Sequence, residues 1–146
     1  MSRAFDAGAL PDFAVTRTPP DPPPLVAQKQ WVFDLRWDRG APWLLGVRAI
    51  ELPAPQTTPR VMGRFALELF EGPTLIERVR FDFPLLADSE VEGPIDGGVH
   101  ALSLSAKLRT RVGVVFPSTS RGTRLELWDR ATNRRWSLPW PATSTR

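Results

Sequence analysis

Between His100 and Phe116 the chain reads HALSLSAKLRTRVGVVF, and this alternation constrains the fold more than any other stretch. His100, Leu102, Leu104, Ala106, Leu108, Thr110, Val112, Val114 and Phe116 share one parity, while the other holds mostly Ser, Lys, Arg and Gly. Successive strand side chains point to opposite faces, so a period of two describes one apolar and one wet face. The seventeen residues would extend about 56 Å, near three times a typical strand. A bend or bulge near Lys107–Thr110 is therefore expected to divide them into two strands.

Shorter runs repeat the same beat. Trp31, Phe33, Leu35 and Trp37 alternate with Val32, Asp34 and Arg36, and Asp38-Arg39-Gly40 then signals a turn. Trp43–Leu52 returns, with Gly46 as a candidate bulge. Val61–Phe70 and Leu75–Phe83 flank the turn Glu71-Gly72-Pro73-Thr74, which predicts a hairpin with Glu68 near Arg78 or Arg80 on the wet face. Thr123–Asp129 and Arg135–Trp140 flank Ala131-Thr132-Asn133, a second hairpin whose end is demoted to an edge by Pro139. Seven or eight strands at about ten-residue spacing, with no run of helical period, predict an all-β fold, a single antiparallel β-sandwich. The pattern resembles an immunoglobulin-like or fibronectin-like sandwich in outline, although the paired cysteines of true immunoglobulin domains are absent.

The remaining segments read as connections. Residues 1–29 are expected to form a Pro-rich N-terminal arm or tether, and 30–146 the β-sandwich domain. Thr18-Pro19-Pro20-Asp21-Pro22-Pro23-Pro24 favours polyproline II and donates few backbone hydrogen bonds. Pro84–Gly98 reads as a long acidic loop.

Chemistry has little material. With no cysteine, disulfides, thiol nucleophiles and Cys-ligated metals are excluded. His100 is the only histidine; Ser103 and Ser105 lie on the opposite parity, so no triad forms along that strand. Asp88, Glu90, Glu92 and Asp96 offer the oxygen ligands calcium takes, but without the regular loop spacing. No metal site and no cofactor are expected, and no enzyme activity.

Charge is uneven: residues 1–50 carry +1, residues 51–100 carry −5 and residues 101–146 carry +7. Five tryptophans, Trp31, Trp37, Trp43, Trp136 and Trp140, are expected in core or strand-end packing. Trp128 points away from Leu125 and Leu127, toward Arg124 and Arg130. With Arg134 and Arg135 these residues form the candidate binding set, Arg124, Trp128, Arg130, Arg134 and Arg135.

The functional expectation is a non-catalytic interaction or assembly module engaging a protein partner or its own copies. A carbohydrate-binding module using an exposed Trp and Arg is the alternative. Nucleic-acid binding through the Arg-rich last third comes third, because the acidic middle repels phosphate. No apolar run approaches the ~20 residues of a membrane span. MSRAFDAGAL lacks the apolar core of a signal peptide, which predicts a cytoplasmic protein, or a cell-envelope one if a leader was removed.

Overall fold

The computed structural model describes residues 20–84 and 108–145. Those residues form seven strands and no helix: β1 Val26–Asp38, β2 Ala41–Thr57, β3 Phe65–Glu71, β4 Thr74–Phe81, β5 Arg109–Pro117, β6 Arg124–Asp129 and β7 Arg134–Leu138. They make two antiparallel sheets, one of three strands in the order β2-β1-β5 and one of four in the order β4-β3-β6-β7. The expectation of an all-β antiparallel fold holds.

The alternation of β1 places Trp31, Phe33, Leu35 and Trp37 on the inner face of the three-stranded sheet, each less than a tenth exposed. Phe65, Leu67, Leu69, Val79, Leu125 and Leu127 face them from the four-stranded sheet, and together they form the core. Trp37 bridges the layers, with its ring 5.3 Å from Phe65 and 6.3 Å from Trp136. Packing is therefore sandwich-like, with side chains of two inner faces interdigitating.

Tight turns set register. Arg39 and Gly40 both have positive φ, 51° and 89°, the signature of a two-residue type I′ hairpin turn. That turn pairs Asp38 with Ala41 and hence Arg36 with Trp43. The β3–β4 hairpin forms as expected, with Glu68 directly opposite Arg78. Asn133, with φ of 58°, closes the β6–β7 hairpin.

Of the long alternating stretch, β5 begins at Arg109 and pairs antiparallel with β1 from Asp38 to Gln30. His100 to Lys107 lie outside the described residues, as do the acidic loop Asp88–Asp96 and most of the arm. β1 starts at Val26, ahead of the boundary expected at residue 30. The preceding residues run along β4: Leu25 donates its N–H to Glu77 Oε2 at 3.0 Å, and the Asp21 carboxylate meets Arg78 at 3.0 Å and Arg80 at 3.3 Å.

The chain after β7 is a strap between the two sheets. Trp140 stacks edge-on against Phe116 at 5.9 Å, Ala142 is buried in the core, and Thr145 bonds to the backbone of Val47 on β2. A chain ending at Leu138 exposes the cavity left by Trp140 and Ala142. It is expected to lose about 2–4 kcal/mol of stability, read as an earlier urea midpoint with an unchanged strand signature by circular dichroism.

Candidate functional site

The two outer sheet faces differ in kind. On the four-stranded sheet the outward residues form a closed ionic network. Glu68 accepts from Arg78 Nε at 2.7 Å and from Arg135 Nη1 at 2.6 Å. Arg135 Nη1 also reaches Glu126 Oε1 at 3.1 Å, so one guanidinium offsets the repulsion between Glu68 and Glu126, which lie directly opposite on β3 and β6. Arg124 bonds Glu126 Oε2 at 3.1 Å and the Gly72 carbonyl at 2.8 Å. Beside this network Glu77, buried on the inward parity opposite Leu69, holds Arg60 at 2.6 Å, and Arg60 also donates to the carbonyls of Pro22 and Arg78. Glu68 and Arg78 were expected on a wet face; both are about as buried as the core, because Asp21 and neighbouring long side chains cover them.

Trp128 sits in this network. Its parity is outward, as expected, but it is only 8% exposed. Arg135 lies 4.7 Å and Arg78 5.8 Å from its ring, and its indole N–H donates to Asn133 Oδ1 at 2.9 Å. The expectation of an exposed stacking platform at Trp128 is therefore corrected: carboxylates on β3 and β6 anchor arginines across the ring, whose faces are consumed internally.

The other expected binding residues do not converge. Arg124 and Arg135 share the outer face with Trp128. Arg134 lies opposite Asp129 and packs 4.9 Å from the Trp136 ring, on the inward parity. Arg130 lies in the turn, its backbone N–H bonded to the Arg64 carbonyl at 3.0 Å.

Among the described residues, nothing packs over the outer face of the three-stranded sheet. Trp43 is 55% exposed, and it is the one tryptophan among the described residues that is more than partly exposed. This differs from the expected core or strand-end packing. The reason is the two-residue turn at Arg39-Gly40: it pairs Trp43 with Arg36, and Arg36 faces outward because Leu35 and Trp37 face in. The turn and the alternation are both visible in the sequence, so this signal was available there.

Register builds the face in rows. Trp43, Arg36 and Arg111 form one row across β2, β1 and β5. Gly46, Asp34 and Gly113 form the next, so two positions without side chains flank one carboxylate. Arg48, Val32 and Val115 form the third, with Val115 37% exposed. Asp34 binds Arg111 Nη2 at 2.6 Å; Asp38 binds Arg39 at 3.1 Å and Arg109 at 3.4 Å. The hydrogen bond from Arg39, reinforced by the charge of Arg109, holds the Asp38 carboxyl below its usual range against a desolvation that acts the other way. Arg36, Arg39, Arg48, Arg109 and Arg111 against Asp34 and Asp38 leave the face positive.

Chemically, this face offers an exposed indole and guanidinium groups paired with Asp34 and Asp38, which is equipment for binding. Among the described residues no three of His, Cys, Asp and Glu cluster as metal ligands, and no helix is long and apolar enough to cross a membrane. Comparison with protein-family models, with curated proteins and with solved structures finds no match to this chain.

Proposed function

We propose that the chain is a non-catalytic interaction module that engages a protein partner through the outer face of its three-stranded sheet. The observation that carries this reading is Trp43, 55% exposed in the row of Arg36 and Arg111. Burying so large an exposed indole is favourable, and Trp and Arg are the residues that dominate binding energy at protein interfaces. Leu45, 40% exposed two residues away, extends the apolar surface. Two antiparallel sheets of three and four strands support, within this proposal, the immunoglobulin-like or fibronectin-like outline.

The same indole beside Asp34 and Arg36 favours a glycan as the second reading, since sugars stack on exposed aromatic faces and hydrogen-bond to flanking charged groups. The two are separated by parallel experiments. Immobilised wild-type chain and Trp43→Ala are compared in quantitative capture from host extract, with Arg124→Ala as a variant on the other sheet. Trp43→Ala is expected to lose the captured partner by about tenfold or more while Arg124→Ala keeps it. Equal capture by all three overturns the reading, and glycan-array binding that depends on Trp43 with no protein captured replaces it with the second.

A further inference from the structure

We propose that the free edge of β2 is a strand-addition site for an extended acidic peptide. This deepens the reading of the three-stranded sheet as the recognising face and rests on it. Among the described residues β2 pairs with β1 along one side only, and its other side is an edge of the sheet. Such an edge presents unpaired N–H and C=O groups that accept another strand.

The protein's own C-terminus shows how the edge is used. Thr145 donates its N–H to the Val47 carbonyl at 2.8 Å, and the Val47 N–H donates to Thr145 Oγ1 at 3.0 Å. Both backbone groups of Val47 therefore point away from β1. In an antiparallel ladder these directions alternate, and the register between β1 and β2 is continuous from Val47 to Glu51. Ala49 and Glu51 must then present their N–H and C=O groups on the same side as Val47. Ala49 and Glu51 are both exposed, and no described residue hydrogen-bonds their edge groups. Ala49 and Glu51 thus each offer one donor and one acceptor, and Val47 adds a third pair when Thr145 leaves.

The site has natural ends. The register shift opposite Asp34 and Leu35 interrupts the ladder at Leu45, and Pro53 removes a donor at the other end. Natural edges are usually blunted along their length. Here the stretch between bulge and proline is guarded, among the described residues, by Thr145 alone. Gly46 makes this contact close: a Cβ there would meet Thr145 Oγ1 at 2.9 Å.

Charge selects the occupant. An added strand places alternate side chains on the outer face beside Arg48 and toward Arg36 and Trp43. With Arg39, Arg109 and Arg111 also present against two aspartates, glutamate or aspartate at those positions finds complementary potential, and lysine finds repulsion. An extended peptide displaces the end of the strap, so Thr145 competes with it.

The test uses the full chain and a short fluorescein-labelled peptide of alternating valine and glutamate, read by fluorescence polarisation. Two companion probes carry lysine for glutamate, or N-methyl groups on the amides that face β2. The acidic probe is expected to bind, with the lysine and N-methyl probes weaker by about tenfold or more. A chain ending at Ser144 should bind several-fold tighter. Ala49→Pro should abolish binding, because proline there removes an edge-facing donor without touching the β1 ladder. Should that variant misfold, the N-methyl probe still decides.

Equal binding of the N-methyl probe overturns strand addition. So does tighter binding of oligothymidylate than of the acidic probe, which would assign the face to single-stranded nucleic acid. Sedimentation showing a dimer that Ala49→Pro dissociates would assign the edge to a second copy and overturn the peptide. A partner captured through Trp43 with no probe bound overturns strand addition and leaves the recognising face standing. Failure of both experiments overturns both readings.

Discussion

Asp129→Ala is expected to destabilise the protein by about 3–5 kcal/mol, a lowering of the melting temperature on the order of 10 °C or more. Asp129 is 1% exposed at the end of β6 and accepts four hydrogen bonds. Two come from Arg64, Nε at 2.8 Å and Nη2 at 3.0 Å. The others come from the Ala131 N–H at 3.0 Å and the Thr132 hydroxyl at 2.9 Å, which fix the β6–β7 turn. Arg64 is itself buried, lying 4.8 Å from the Phe65 ring and 5.7 Å from Trp37. Removing the carboxylate takes a bidentate partner from a buried guanidinium and loosens a hairpin in one step. Urea unfolding should show the full loss. The double variant Arg64→Met with Asp129→Leu should recover part of it, because apolar side chains of similar size replace a buried charged pair whose desolvation is costly. A loss below about 1 kcal/mol for Asp129→Ala, the size of an exposed pair, would contradict this account.

Glu68→Ala is expected to cost about 3 kcal/mol, although alanine is smaller and the position lies on an outward face. Glu68 is 1% exposed and carries both Arg78 and Arg135. Without it, Arg135 keeps Glu126 and Arg78 keeps Asp21, so the loss is smaller than at Asp129. The optical consequence is more specific. The arginines over Trp128 lose their anchor and the ring gains solvent. A red shift in tryptophan emission with a retained cooperative transition would follow, and acrylamide quenching would rise. Equilibrium unfolding that leaves the emission maximum unchanged would show that Trp128 is covered by something other than these two side chains.

Much of the fold was legible from alternation. Trp31, Phe33, Leu35 and Trp37 share a parity and share the core; the β3–β4 turn residues place Glu68 opposite Arg78. These are local facts, fixed by a period of two and by turn chemistry within a few residues. Even the outward position of Trp43 follows from them, once the two-residue turn is counted through from Asp38 to Arg36. At Trp43 parity outweighs residue type: a tryptophan packs into the core only when its strand turns it inward.

Trp128 shows the opposite case. Its parity is outward, yet its cover comes from Arg135 on the neighbouring strand β7 and from Arg78 on β4, two strands away. Alternation says which face a side chain takes and nothing about what else arrives there. Arg124, Arg130, Arg134 and Arg135 are near in sequence, and antiparallel pairing sends them to two faces and a turn.

The amino-acid order alone determined that this chain forms extended strands, where most of them turn, and which side chains of each face the filling between the layers. Those properties need only neighbours in sequence. Tertiary structure alone decided which sheet face stays open and which is closed, since that depends on pairings over long separations: β1 with β5, β3 with β6, Asp21 against Arg78, and Thr145 against Val47. The loop-closure cost of each such contact is met only when the whole core assembles. So the exposed indole and the open edge are properties of the folded molecule, and it is there that recognition is proposed.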